Sequence, residues 1–336
     1  MLYPKRSALF PLIINYLYCT MKQFKHTRYY FLILFVVMVS FISCKQYIYD
    51  NMSACFRGVY INIYEQTECE TEASYPSVPV VHVYAFDDND LLVSVHKEIA
   101  PQLSKEYELF VPTPRPGVYS FITWAGIDEN FYNLSSLTVG KTTKKDLLLS
   151  LKEQSAKAVA LTNQRLYIGS TPIVHIGEQE KFFAHTKSNL REITNRIKVT
   201  VEGIENPKDY SIEMSTNNGS YSLLGNIIPN HPLAYPTTVY YPADSTLAAN
   251  FTTLKLESGR NSTLVVRRLS DGEEAFREEL IGTILLSPSA ENINLRCLND
   301  FHIKLKMRKC NCPGGYMAAE LWINDWLIHS YDIIFG

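Results

Sequence analysis

The sequence lacks the features of a nucleic-acid-binding protein and of a protein held by a membrane-spanning helix. Its 336 residues carry 32 lysines and arginines against 34 aspartates and glutamates, a net charge of −2 at pH 7. This balance provides no basic excess to neutralise a phosphate backbone. Phe31–Ser43 is free of charge, but it is shorter than the roughly 20 apolar residues that a transmembrane helix needs. We therefore expect no nucleic-acid partner, and we do not interpret this stretch as a membrane span.

Catalytic motifs are missing as well. No Gly-x-Ser-x-Gly, His-Glu-x-x-His or phosphate-binding glycine loop occurs, so the common hydrolase and nucleotide motifs are absent. The pairs Glu273-Glu274 and Glu278-Glu279 follow the turn Asp271-Gly272, as the charged residues of a strand would, which does not favour a role in acid–base catalysis. The sequence thus predicts a protein that is not an enzyme and has no cofactor or metal. A surface hydrolase whose catalytic residues are scattered along the chain stays open as an alternative.

One stretch predicts where the protein goes. The basic segment Met21–Arg28 precedes the apolar run Phe31–Ser43, an arrangement typical of a secretory signal. Phe41-Ile-Ser-Cys44 resembles the lipobox of bacterial lipoproteins, in which a peptidase cuts before the cysteine. In this chain the cut would fall between Ser43 and Cys44. A cysteine is suited to acylation there because its thiolate is a strong nucleophile. We interpret residues 1–43 as a leader with its true start at Met21, and Cys44 as a lipidated, palmitate-bearing first residue; a plain secretory signal is the alternative.

Cysteine is scarce in the remaining chain. Export permits disulfides, and Cys55 with Cys69 is the pair that we expect to link the first strand to the segment after it. Cys310-Asn-Cys312 lacks the two-residue spacing of a zinc knuckle. A disulfide from this loop to Cys297, or free thiols, is expected instead of a metal. Because five cysteines follow the lipobox, at least one must stay unpaired within the chain.

The dominant hydrophobic period after the leader is two residues. Arg196–Glu202 places Ile197, Val199 and Val201 on one face, and Phe301–Arg308 alternates in the same way. This alternation is typical of antiparallel strands with one buried and one exposed face. Further predicted strands are 80–86, 91–96, 107–111, 118–124, 147–151, 210–214, 253–256, 264–269 and 321–323. No segment has the pattern of a long capped amphipathic helix.

Turn-forming residues separate these strands. Asp87–Asp90, Asn217–Gly219, Asp271-Gly272 and Pro313–Gly315 are rich in residues that accept the backbone angles of tight hairpins. Many short strands with regular turns favour β-sandwiches. The 293 residues after the leader suit two such domains, and we place the boundary at a polar break near residue 180. The prediction is an all-β protein with two tandem sandwiches, residues 44–180 and 181–336.

Three stretches together resemble the FimB-type fimbrillin-associated anchor proteins. They are Val81–Val93 (an opening hairpin), Gly117–Gly126 (an aromatic strand) and Leu321–Trp326 (a closing strand), all behind a lipidated cysteine. The resemblance implies two transthyretin-like antiparallel sandwich domains and attachment to the outer membrane. Asp90 and Asp325 stand where the family pattern leads us to expect glycine.

The resemblance also implies a function. Family members anchor fimbriae at the cell surface as minor accessory subunits, and stalk and tip subunits share the fold. We therefore expect the partners to be a fimbrial stalk subunit, docked by strand complementation of an open sheet edge, and the outer-membrane lipid. The alternative is a lipid-anchored tip adhesin or glycan-binding protein that contacts a host glycan or matrix protein. On that alternative, Trp124, Trp322 and Trp326 would line a sugar platform; core packing explains them equally well.

Overall fold

The computed structural model describes residues 56–162, 164–177, 182–285 and 295–330. The predicted leader, the cleavage site at Ser43 and Cys44, and Cys55 lie outside these residues, so lipidation and cleavage stay predictions. The chain divides after Cys55, and Phe56 onward forms one compact unit.

The regular secondary structure of the described residues is almost entirely β-strand, which confirms the predicted all-β class. The strands are β1 (Gly58–Glu65), β2 (Val80–Phe86), β3 (Leu92–Ile99), β4 (Leu109–Pro112), β5 (Gly117–Ala125), β6 (Tyr132–Leu134), β7 (Leu147–Leu151), β8 (Glu153–Gln154), β9 (Lys157–Ala158), β10 (Tyr167–Ser170), β11 (Val174–Ile176), β12 (Phe183–Glu192), β13 (Thr194–Glu202), β14 (Tyr210–Thr216), β15 (Ser220–Ser222), β16 (Leu233–Tyr235), β17 (Thr238–Ala243), β18 (Thr246–Leu254), β19 (Ser262–Arg268), β20 (Glu274–Glu279), β21 (Asp300–Lys309), β22 (Tyr316–Ile323) and β23 (Trp326–Ser330). One short α-helix, α1 (Leu280–Leu285), follows β20 within the described part.

Four sheets organise these strands. The first has the order β3-β2-β5-β10-β12-β1-β4, with β11 paired to β5; the second has the order β17-β18-β13-β21-β22-β23. A third sheet, β20-β19-β14-β16-β9-β8, and a small fourth sheet, β15-β7-β6, complete the described fold. Most pairs are antiparallel, as predicted, but the first, second and third sheets each contain one parallel pair: β1 with β12, β13 with β21, and β9 with β16.

The core follows the predicted alternation. Ile197, Val199 and Val201 of β13 are buried, and so are the alternate residues Phe301–Met307 of β21. One apolar cluster lies among strands of the first sheet, around Val59, Ile61 and Phe121. The larger cluster joins the opposite face of that sheet to the second, third and fourth sheets. The chain therefore uses both faces of several first-sheet strands to bury apolar surface.

The predicted turns form, although not all of them as hairpins. Asp87–Asp90 joins β2 to β3, Asp271-Gly272 joins β19 to β20, and the Pro313–Gly315 loop joins β21 to β22, each between antiparallel partners. Asn217–Gly219 instead links β14 to β15, which pair with strands of different sheets. Asp90 and Asp325 both adopt positive φ, 59° and 66°, the conformation that favours the glycine expected there.

The domain division stays a prediction. The predicted boundary, between residues 180 and 181, falls outside the described residues. Just beyond it, β12 pairs with β1 and β10 of the first sheet. In addition, β7 of the predicted first domain pairs with β15 of the second. Strands from both predicted halves thus lie in the same sheets. The last strand of the first sheet along the chain, β12, ends at Glu192.

The cysteine pairing differs from the prediction. Cys69 forms a disulfide with Cys297, 228 residues along the chain, and not with Cys55. Cys310 and Cys312 pair with each other, with Cα atoms 5.3 Å apart, so the expected link from that loop to Cys297 is wrong. Spacing alone could not show that the fold brings the segment after β1 next to the segment before β21.

Candidate docking edge and aromatic surface

The sheet edges are the places where another chain could add a strand. In the described residues the two large sheets end at β3, β4, β17 and β23. β4 has four residues and ends at Pro112, and β17 contains Pro242 beside an irregular register. Proline and register irregularities protect an edge against added strands. Of these four edges, β3, with eight residues, and β23, with five, contain no proline. The edge strand β20 of the third sheet, with six residues, contains none either, but four of its residues are charged.

Leu92, at the start of β3, is hydrogen-bonded to Gly140 and Thr142, and the backbone beyond it presents outward-pointing hydrogen-bonding groups. The Ala100 N–H donates to the Pro79 carbonyl oxygen at 2.8 Å, on the β2 side. Because bonded residues alternate along an antiparallel strand, the backbone groups of Val95, Lys97 and Ile99 point away from β2. The exposed side chains of β3 belong to the same three residues: Val95 is 46% exposed and Ile99 is 74% exposed. This edge therefore combines unpaired main-chain groups with exposed apolar side chains.

A second feature is an aromatic surface at the β12-β1-β4 end of the first sheet, formed by Phe56, Tyr60, Phe110 and Phe183. The ring centroids of Phe56 and Phe110 lie 4.8 Å apart, those of Tyr60 and Phe110 4.9 Å apart, and those of Tyr60 and Phe183 6.1 Å apart. Phe56 and Phe183 are 66% and 46% exposed. Single exposed apolar residues are ordinary, but a contiguous exposed patch is typical of a binding surface.

Local sequence explains how this surface forms. Gly58 faces Phe183 in the parallel pair with β12 and Pro112 in the pair with β4. A Cβ atom on Gly58 would lie 2.4 Å from a ring carbon of Phe110, so only glycine leaves room for this ring above the β1 backbone. Tyr60, two residues on, faces both Phe110 and His185. The alternation of the three adjacent strands thus gathers the aromatic rings on one face.

A cleft of about 830 Å³ lies between the first sheet and the strands that follow it, with Lys255 in its wall. The Lys255 ammonium donates to the carbonyl oxygen of Leu298 at 2.9 Å and also contacts Asn299. Burial lowers the pKa of Lys255 to about 8. Nearby, Arg196 binds Asp300 through two hydrogen bonds of 2.6 and 2.8 Å. These contacts hold β13 and the end of β18 against the start of β21, and we assign them a structural role.

The predicted tryptophan platform does not form as a set of three. Trp124 is fully buried, and its indole N–H donates to the Leu223 carbonyl at 2.8 Å. Trp322 is half-buried beneath the Lys306 ammonium, which lies 5.3 Å from the ring centroid. Trp326, at the start of β23, is the exposed one. Since Trp124 belongs to the core, it is unavailable to a sugar.

One member of each acidic pair, Glu274 and Glu279, is held by structural partners. Arg277 and Arg267 bind Glu274, and chiefly the hydrogen bond from Arg277 lowers the pKa of Glu274 to about 2. Glu279 accepts hydrogen bonds from the backbone N–H groups of Ser262 and Gly282. A carboxylate kept ionised or already bonded to backbone amides is poorly placed to transfer protons near neutral pH.

Comparisons with known proteins identify the family. The model of the family of fimbrillin-A associated anchor proteins Mfa1 and Mfa2 matches residues 52–332. The chain belongs to this family. The minor fimbrium anchoring subunit Mfa2 of Porphyromonas gingivalis is 42% identical over 296 residues, which cover 87% of this chain and 91% of that protein. The predicted resemblance to fimbrillin-associated anchor proteins is thus confirmed.

Solved structures agree with this family. The fimbrial anchor protein Mfa2 from Porphyromonas gingivalis superposes with a TM-score of 0.78 at 41% identity, covering 82% of this chain and all of that one. A Bacteroides thetaiotaomicron structure has a TM-score of 0.68 at 21% identity, covering 82% of this chain and 98% of that one, and this likeness concerns the fold alone. Among the described residues, no helix has the length and apolar character needed to span a bilayer.

Sequence reasoning missed the aromatic surface and did not choose an edge. Phe56, Phe110 and Phe183 are 54 and 73 residues apart along the chain, and only the order β12-β1-β4 brings them together. The signal available in the sequence was Gly58 between aromatic residues, which indicates a close approach to the backbone.

Proposed function

We propose that this protein is a cell-surface lipoprotein that anchors fimbriae, as a minor accessory subunit, to the outer membrane. The observation that carries the proposal is the 42% identity to the Mfa2 anchoring subunit over most of both chains. Two physical tasks follow for an anchor. It must stay in the membrane, and it must present a surface that a stalk subunit can bind.

The first task falls to Cys44. Each buried CH2 group of an acyl chain contributes about 0.8 kcal/mol, and more than one chain is needed for stable attachment. A lipoprotein cysteine with several acyl chains meets this requirement. Peptidase cleavage between Ser43 and Cys44 would leave this cysteine as the first residue of the mature chain.

The second task falls to the edge of β3. Strand complementation gains affinity from main-chain hydrogen bonds and specificity from alternate side-chain contacts. The outward backbone groups of Val95, Lys97 and Ile99 supply the first, and the exposed Val95 and Ile99 side chains supply the second. The proline in β17 and the shortness of β4 argue against those edges. A terminal strand of the stalk subunit is the proposed partner of β3.

We retain two tandem transthyretin-like sandwiches, residues 44–180 and 181–336, as part of this proposal. The parallel pairs β1 with β12 and β13 with β21 support two domains, because they give the first strand of the first sheet and that of the second sheet equivalent arrangements. They do not support a boundary at residue 180, since β12 lies beyond it.

The tether is tested by replacing Cys44→Ala in cells that make the fimbriae. We expect intact fimbriae to leave the cells and collect in the medium, because the subunit that holds them has lost its acyl chains. Cys55→Ala is the matched control, since it removes a nearby cysteine outside the lipobox. Fimbriae that stay attached in the Cys44→Ala strain would contradict the anchor role and favour the tip-adhesin alternative.

The docking edge is tested by Lys97→Pro. Proline removes an N–H group that points away from β2, so the pairing of β3 with β2 is kept while one bond to the added strand is lost. We expect capture of the stalk subunit to weaken by about tenfold or more, as the loss of one buried hydrogen bond and of edge regularity would produce.

Leu327→Pro on β23 is the control, with thermal unfolding of both variants to verify folding. Unchanged capture by Lys97→Pro together with weakened capture by Leu327→Pro would move the docking site to β23.

A further inference from the structure

The aromatic surface has no role in the docking edge described above. It lies on β12, β1 and β4, whereas β3 is at the other end of the strand order of the first sheet. Its rim is polar: the His185 imidazole lies 3.0 Å from the Glu108 carboxylate and stacks on Tyr60 at 5.0 Å. Exposed aromatic rings with a polar rim match the region where a bilayer changes from headgroups to acyl chains.

The position of this surface along the chain points to one occupant. Phe56, its most exposed member, is 12 residues after Cys44. An extended chain spans at most about 3.3–3.6 Å per residue, so this linker reaches about 40 Å at most. Lipid at Cys44 would therefore keep the aromatic surface within one bilayer thickness of the membrane.

We propose that the aromatic surface of Phe56, Tyr60, Phe110 and Phe183 rests in the headgroup region of the outer membrane. This inference depends on the proposed lipid at Cys44. The acyl chains hold the protein at the bilayer, and the rings then add a second, orienting contact that needs little affinity of its own. A linked second contact acts at high effective concentration, so a weak interaction suffices.

This second contact would fix the orientation of the protein on the membrane. A lipid at Cys44 alone would fix one point of the protein and leave its orientation at the surface undefined. Contact through β12, β1 and β4 fixes this end of the first sheet against the membrane. The edge of β3, separated from that end by three strands of the sheet, is then presented to a stalk subunit in a defined direction.

The experiment uses the full-length lipidated protein in vesicles of phosphatidylethanolamine and phosphatidylglycerol. Phe183→Trp places a fluorescent reporter on the aromatic surface, and Ile99→Trp places one at a similarly exposed site on β3. Wild-type emission from the three native tryptophans is subtracted. Mass spectrometry of the N-terminal peptide measures acylation of Cys44 in the same preparation.

We expect the Phe183→Trp emission to shift to shorter wavelength and to be quenched by brominated lipid several-fold more strongly than the Ile99→Trp emission. In protein with verified acylation, equal quenching at the two sites would contradict the membrane contact, and so would no quenching at either site. Neither result would contradict the anchor role. Absence of acylation would overturn the proposed tether itself. If Phe183→Ser abolished stalk capture and a Phe110→Trp reporter were quenched no more strongly than Ile99→Trp, the surface would serve subunit docking, which also contradicts the proposal.

Discussion

At the scale of single residues, His82 shows how burial sets a pH dependence. It lies in the middle of β2, and its Nδ1 atom has no hydrogen-bond partner among the described residues. Burial, with a smaller effect from Lys97, lowers the pKa of His82 from its ordinary 6.5 to about 4. The folded protein thus keeps this imidazole neutral where the unfolded chain would protonate it.

The sign of the effect follows from that difference. Between about pH 6.5 and pH 4 the unfolded chain binds more protons, so the free energy of unfolding falls as the pH falls through this window. We expect His82 to account for roughly 1–3 kcal/mol of this loss. Urea unfolding at pH 7 and pH 4.5 measures it, and His82→Phe should lose less stability on acidification than the wild type. His175→Phe, at an exposed site of β11, is the control and should follow the wild type; if His82→Phe also follows it, the assignment is wrong.

At the scale of elements, the hairpin between β22 and β23 has a turn of sub-optimal sequence. Asn324 and Asp325 both have positive φ, 47° and 66°, as a type I′ turn requires, and Asn-Gly is the preferred pair for it. We expect Asp325→Gly to raise the free energy of unfolding by about 1 kcal/mol, which for a domain of this size is about 2 °C in Tm. Thermal unfolding measures the change.

Asp88→Gly is the control for that variant. Asp88 lies in the turn between β2 and β3 but has no positive φ, so glycine there gains nothing and adds flexibility to the unfolded chain. A Tm that rises equally in both variants would contradict the explanation by turn geometry.

The sequence predicts strands correctly where one face is apolar and the other is exposed to solvent. β13 and β21 satisfy this condition and were placed within two residues of their observed ends. β1 was missed because residues of both its faces are buried, which removes the alternation. β12 was missed for the opposite reason, since its inward side includes Thr186 and Ser188 in place of large apolar residues. The open edge and the aromatic surface depend on the order of the strands, which local patterns do not encode.

At the scale of the whole molecule, one disulfide ties distant parts of the chain. Cys69 follows β1 and Cys297 precedes β21, at a sequence separation of 228. Closing a long loop restricts the unfolded chain more than closing a short one, so we expect the double variant Cys69→Ser and Cys297→Ser to lose about 2–5 kcal/mol of unfolding free energy. Urea unfolding without reductant measures this loss.

The second cysteine pair provides the matched control. Cys310 and Cys312 are two residues apart, so removing both should cost much less. A loss as large in this control as in the long-range pair would show that the stabilisation does not come from the closed loop.

The parallel pairing of β1 with β12 bears on how the protein carries mechanical load. The pairing runs along the whole of β1, from Gly58 to Glu65, and β4 flanks its other side. Tension between a lipid at Cys44 and a filament bound elsewhere would pull β1 along its own axis. The hydrogen bonds on both sides would then be sheared together instead of opening one after another, and because forced unfolding is governed by the unfolding rate, this geometry resists rupture under the drag of a moving fluid.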